Sequence, residues 1–148
     1  MSPTVSQLEV IYCDDVRVEI TGKRILIGVY TATMDVPQFP ATLPKFCILL
    51  SYLGSADTPP EKLRFLVYRD DELLAEQSLP DGAARKPLND AEGLDAPLIR
   101  AMMQMEFSPF ELAGPCTLRV RAEVDGVELR SSALRIRARV LADTSAAG

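Results

Sequence analysis

Apolar and polar side chains alternate along most of this chain with a period of two, the spacing of a strand with one face on a core. From Val16 to Thr21, the side chains of Val16, Val18 and Ile20 point one way and those of Arg17, Glu19 and Thr21 the other. Gly22-Lys23 turns the chain, and Arg24 to Thr31 returns as a strand. In that strand Ile25, Ile27 and Val29 share one face and Leu26, Gly28 and Tyr30 the other. A strand apolar on both faces is expected to be central, or covered on both sides. Ahead of the hairpin, Ser6 to Cys13 predicts a first strand, and Asp14-Asp15 a turn whose side chains bond nearby amides.

The segment after the hairpin carries Pro37, Pro40 and Pro44. Each proline fixes its own φ and pushes the preceding residue toward extended conformations, so no helix crosses here. An extended connection between two sheets is expected, anchored by Phe39 and Leu43. Phe46 to Leu53 is almost continuously apolar and suits a central strand. Leu63 to Arg69 and Glu72 to Leu79 predict a hairpin around Asp70-Asp71, with Leu63, Phe65 and Val67 on one face and Leu73, Ala75, Gln77 and Leu79 on another. Pro80 to Pro97 is rich in turn formers and charges and reads as a long loop. Leu98 to Phe107 has helix-favouring Ala, Met and Gln. Its alternation is nonetheless unbroken, and a strand is expected. Ser108 to Pro115 reads as a tight connection.

Cys116, Leu118, Val120, Ala122 and Val124 face inward, and Thr117, Arg119, Arg121 and Glu123 outward. Asp125-Gly126 is a two-residue hairpin signal. Beyond the turn Val127 and Leu129 continue inward on odd positions, yet the next apolar set is the even-numbered Leu134, Ile136, Ala138 and Val140. A regular strand cannot change parity without turning its core face to water. A bulge or bend is therefore expected between Arg130 and Ala133, of the kind that lets a strand leave one sheet for another. These elements predict an all-β fold: a two-sheet antiparallel β-sandwich, immunoglobulin-like or C2-like, of eight or nine strands with little or no helix. Residues 1–141 are expected to form one domain and 142–148 a frayed tail.

Length and composition narrow the chemistry. A chain of 148 residues buries enough surface to fold without disulfide or metal. The net charge of −5, from 21 acidic and 16 basic residues, argues against non-specific attraction to nucleic acid. Tryptophan is absent and only four tyrosines and five phenylalanines are present, a poor stock for stacking bases. The longest apolar run is too short to span a bilayer. The start of the chain lacks a basic segment followed by an apolar one, and a cytoplasmic protein is expected. Cys13, Cys47 and Cys116 lie in or beside apolar runs and read as buried small hydrophobes. Histidine is absent, which removes Ser-His-Asp and Cys-His catalysis and imidazole ligation.

The residues Cys13-Asp14, Gly22-Lys23, Leu26-Ile27-Gly28-Val29-Tyr30, Phe39-Pro40 and Leu43-Pro44 form a pattern. Over about residues 8 to 46 the chain resembles a family of small bacterial proteins of unknown function with this order of motifs. Pro109-Phe110, Gly114-Pro115 and Asp125-Gly126 fit its C-terminal hairpin more loosely. The resemblance implies a β-sandwich and supplies neither an activity nor a site.

One constellation stands out. Arg119, Arg121, Arg130, Arg135, Arg137 and Arg139 fall within 21 residues, all on outward positions. Arg121 should stand opposite Arg130 and Glu123 opposite Glu128, with relief along the diagonals Arg121–Glu128 and Glu123–Arg130. Arg135, Arg137 and Arg139 have no acidic neighbour in sequence. This face is a candidate surface for an anion or an acidic partner, set against the ordinary role of charges in discouraging strand aggregation. The acidic turns lack the spacing of a calcium loop. Cys13 sits beside two aspartates, the wrong setting for a reactive thiolate. No cofactor and no enzyme activity are expected. The expected protein is a structural or accessory module that binds an unknown protein partner or a second copy of itself, with neither nucleic acid nor membrane; the alternative is an anion- or small-ligand-binding module using the arginine face.

Overall fold

Strand β1 runs unbroken over Ser6–Val18 in the computed structural model, which describes residues 6–82 and 98–140. Asp14-Asp15 is therefore not a turn. Both aspartates sit inside the strand, because tertiary partners rather than local amides claim most of their oxygens: Tyr30 for Asp14, and Lys45 and Arg17 for Asp15. The chain turns at Gly22, in the left-handed region at φ 90°, and returns as β2 (Arg24–Tyr30). The pairing places Tyr12 opposite Tyr30 and Val18 opposite Arg24.

The first sheet has the order β2-β1-β5-β8, with β5 at Phe46–Ser55 and β8 at Leu98–Phe107. β5 is central, as its apolar run requires, and Leu98–Phe107 is a strand. β2 is not central. It is an edge strand, with Ile25, Ile27 and Val29 exposed by 43%, 40% and 52%. Two apolar faces did not mean two covered faces here, because the chain leaves this sheet directly after Tyr30. Val18 and Ile20 are also exposed; Val16 is buried in a small separate cluster with Cys13, Cys47 and Leu26, and the hairpin tip projects past it.

The second sheet has the order β3-β12-β10-β6-β7, with β11 also on β10. These are β3 (Thr33–Val36), β6 (Leu63–Arg69), β7 (Glu72–Ser78), β10 (Cys116–Val124), β11 (Val127–Arg130) and β12 (Leu134–Ala138). A two-stranded ribbon pairs β4 (Ala41–Leu43) with β9 (Phe110–Leu112). The proline-rich segment crosses from the first sheet to β3 in the second and returns to β5, with Phe39 and Leu43 packed on the core. Twelve strands are present rather than eight or nine. β3, β4 and β9 have three or four residues each, too few for alternation to reveal.

One core lies between the sheets. Leu8, Tyr12, Phe46, Ile48, Leu50 and Ile99 come from the first; Met34, Phe65, Val67, Leu118, Val120, Leu134 and Ile136 from the second. Burial of each such side chain favours the fold by roughly 1.5–3 kcal/mol. Phe46 is the aromatic centre. Its ring lies 4.9 Å from Phe110, 6.3 Å from Tyr30, and 6.5 Å from both Tyr12 and Phe107. On the β6–β7 hairpin a register shift at Val67/Tyr68 brings Leu74 as well as Ala75 onto the core and leaves Leu73 exposed, contrary to simple alternation.

The expected break after Arg130 is a bulge. Arg121 pairs with Arg130 and Leu118 with Leu134, so Ser131, Ser132 and Ala133 stand against only Arg119 and Val120. The extra residue accounts for the parity change. It does not carry the strand to the other sheet, since β11 and β12 both stay on β10. Both ends of the β6–β10 ladder are closed by an aspartate. Asp70, at φ 52°, donates its N–H to the Thr117 carbonyl (2.9 Å) and accepts the Thr117 N–H on its carboxylate (3.0 Å). Asp125, at φ 48°, does the same with Lys62 at 2.9 and 2.8 Å. Among the described residues there is no helix, so none is long and apolar enough to cross a membrane. Most of the Pro80–Pro97 loop and the 142–148 tail lie outside the described residues.

Candidate functional site

β10, β11 and β12 present the arginines because alternation sends every second side chain of the second sheet away from the core. The bulge lets even-numbered Arg130 and odd-numbered Arg135 and Arg137 share that outer face. Arg121 stands opposite Arg130 and Glu123 opposite Glu128, as the hairpin signal required. The diagonal Arg121–Glu128 ion pair forms at 3.0 Å, and Glu128 also lies 3.6 Å from Arg130. The other expected diagonal does not form. Glu123 turns to Arg64 on the neighbouring strand β6, at 2.6 Å, and Arg64 also reaches Glu76 at 3.5 Å. These carboxylates, Glu123 foremost, hold the Arg64 guanidinium above its ordinary pKa.

Arg137 has a partner that no local sequence pattern signals: Asp35 on β3, 2.7 Å away and 102 residues earlier. Arg119, Arg121 and Arg130 line one shallow hollow of about 380 Å³ with Tyr68, Asp70, Asp71 and Glu128. Arg135 lies outside that hollow, opposite Thr117 and one step along the face from Arg119. Arg139 follows the end of β12. The face is thus a mixed-charge lattice, not a uniform basic stripe. Among the described residues, Arg119, Arg135 and Arg139 are the exposed arginines of the set without a carboxylate partner.

The edge of the first sheet was not anticipated as a site. Asp14 faces Gly28 across the β1–β2 ladder, and a Cβ at Gly28 would lie 2.1 Å from an Asp14 carboxylate oxygen. Gly28 also takes φ 69°, a conformation glycine adopts freely. The space this leaves lets Asp14 accept a hydrogen bond from the Tyr30 hydroxyl. Burial, and next that carboxylate, push the Tyr30 phenol well above its ordinary range. Beyond this lock, on the opposite face, lie exposed Ile25, Ile27 and Val29. A glycine inside an apolar strand was the available signal that the strand is irregular and not a plain central one.

All three thiols are held in their protonated form by burial. Cys13 stands directly opposite Cys47, and both are fully buried. Burial, joined by Cys47 and the nearby aspartates, pushes the Cys13 thiol up to about 11; burial raises Cys47 and Cys116 as well. Lys45 bridges Asp15 at 2.7 Å and Glu106 at 2.9 Å. Those two carboxylates hold its ammonium protonated far above the usual lysine range, which removes it as a base. No cluster of three or more acidic or cysteine side chains able to hold a metal occurs among the described residues.

Residues 9–137 match the model of a family of unknown function, DUF6941. The chain belongs to this family. No curated protein matches it. Within this DUF6941 chain, the motif residues Cys13-Asp14 and Leu26 to Tyr30 are brought together as one unit. They form the paired strands that carry the Asp14–Gly28–Tyr30 lock and the exposed apolar edge.

Proposed function

We propose that this DUF6941 chain is a non-catalytic interaction module, an accessory or structural protein of the bacterial cytoplasm that works through protein contacts. The observation that carries this reading is the exposed row Ile25, Ile27 and Val29 on an edge strand. Exposed apolar side chains gathered along an open strand edge favour association, because burying them is favourable and the edge offers unpaired N–H and C=O groups.

The test is affinity capture from lysate of the source cell with three baits: the wild-type chain, Ile27→Lys, and Arg119→Glu with Arg135→Glu. A partner lost only with Ile27→Lys supports the reading. Wild-type bait that captures nothing and does not self-associate overturns it.

A second reading is favoured by Arg119 and Arg135, which project from the outer face without carboxylate partners. It is an anion-binding surface for an acidic ligand or peptide. Arg137, committed to Asp35, is the poorer variant with which to probe it. Binding through these arginines weakens as salt rises; binding that ignores salt and survives the double Arg→Glu variant sinks this second reading.

A further inference from the structure

The four outer strands of the two sheets are not alike. β8 carries Arg100 and Glu106, β7 carries Glu72 and Glu76, and β3 is four residues long with Asp35 at its third position. Charge and shortness are the usual means of blocking an open edge. β2 has neither. From Ile25 to Tyr30 it holds no charge and no proline, and no described strand pairs with its outer side. Its one irregularity is Gly28, and pairing to β1 resumes at Val29 and Tyr30.

We infer that the outer edge of β2 pairs antiparallel with β2 of a second copy of this chain, about a two-fold axis at Ile27. The inference rests on the reading of the chain as an interaction module. An open strand edge is completed by another strand, since only a strand offers donors and acceptors at the matching repeat. The side chains decide which strand. A two-fold axis at Ile27 sets Ile27 against itself, Ile25 against Val29 of the copy, and Leu26 against Gly28 of the copy. Arg24 then meets the Tyr30 ring of the copy, a favourable cation–aromatic pairing, and Lys23 meets Thr31 of the copy. No like charges oppose each other in this register. A two-residue shift of the partner places Lys23 against Val29 of the copy or Ile25 against Thr31 of the copy, and so loses apolar matches. The two exposed rows join into one apolar strip of six side chains. A two-fold contact of this kind closes on itself and leaves no further edge of its own type.

The experiment measures the mass of the full purified chain by sedimentation over a range of concentrations, with circular dichroism as a check on folding. The wild-type chain is expected to be dimeric. Ile27→Lys opposes two ammonium groups at the axis and should weaken dimerisation by at least about tenfold, with the folded spectrum unchanged because Ile27 is exposed. Cysteine pairing tests the register independently. In a Cys116→Ser background, Ile27→Cys should link to itself on treatment with oxidised glutathione. Ile25→Cys and Val29→Cys should link to each other when mixed, and far less to themselves. Wild-type chain that stays monomeric at every concentration overturns the inference, as does a dimer untouched by Ile27→Lys whose Ile27→Cys form does not cross-link. A monomer that nevertheless captures another protein through Ile27 refutes the second copy and leaves the interaction reading standing. A monomer that captures nothing defeats both.

Discussion

The Tyr12 hydroxyl donates to the Ser132 carbonyl at 2.8 Å, although the two residues lie 120 positions apart. Tyr12 belongs to the first sheet and Ser132 to the bulge in the second. The bond ties the two sheets together at the point where the ladder on β10 is interrupted and a carbonyl is free to accept. Burial pushes the Tyr12 phenol up to about 12, so it stays a donor through the physiological range. Tyr12→Phe keeps the ring against Phe46 and loses only this bond. Urea unfolding should show a loss of about 1 kcal/mol. A variant as stable as wild type would mean that the hydroxyl contributes nothing.

Gly28→Ala should be among the costliest single-methyl additions in the protein. The new Cβ meets the Asp14 carboxylate, and alanine resists the left-handed conformation. The expected loss is about 2 kcal/mol or more. Asp14→Ala removes the collision but not the backbone strain, so the two substitutions should be less than additive, by about 0.5–3 kcal/mol. Strict additivity in a double-mutant cycle would refute the close approach.

The Asp15 carboxyl is held below its ordinary pKa, first by its hydrogen bond to Lys45, which outweighs an opposing desolvation, and then by Arg17. A depressed folded pKa contributes stability above the unfolded value, about 3.9 for aspartate, and that contribution is lost as pH falls through the folded value. Wild-type and Asp15→Asn melting temperatures should therefore differ at neutral pH and converge in acid. A gap that persists at pH 2 would show that the effect is not ionic.

Cys13 and Cys47 are buried and their thiols are raised, whereas Cys116 is half-buried. Alkylation of the native chain at pH 7 should reach Cys116 first and spare the other two until the protein unfolds, as peptide mass mapping would show. Early labelling of Cys13 would mean that the β1–β5 pairing opens far more readily than its burial implies.

The hairpins and the parity change were legible because each is written in neighbouring residues: Gly22-Lys23, Asp70-Asp71, Asp125-Gly126, and the move from Leu129 to Leu134. What escaped depends on distant residues. Asp14-Asp15 looks like a turn until Tyr30, Arg17 and Lys45 are placed around it. β2 looks central until the strand order shows nothing on its far side. Alternation sends the arginines of β10 and β12 outward, but their charge balance is not written there, because Asp35 and Arg64 come from other strands. Alternation tells which way a side chain points. It does not tell what stands there.

The single surplus residue in the bulge has one more consequence, for the length of the chain. β10 is a ruler laid beside both β11 and β12, and Ser131–Ala133 sets them out of phase by one residue. Substitutions in those three positions leave the phase intact. Losing any one of them would bring the ruler back into step with Leu134 still opposite Leu118 and Ile136 still opposite Cys116, so the apolar face would stay inward while the bulge that offers its carbonyl to Tyr12 would be lost. The surplus residue thus serves the contact between the two sheets rather than the facing of β12.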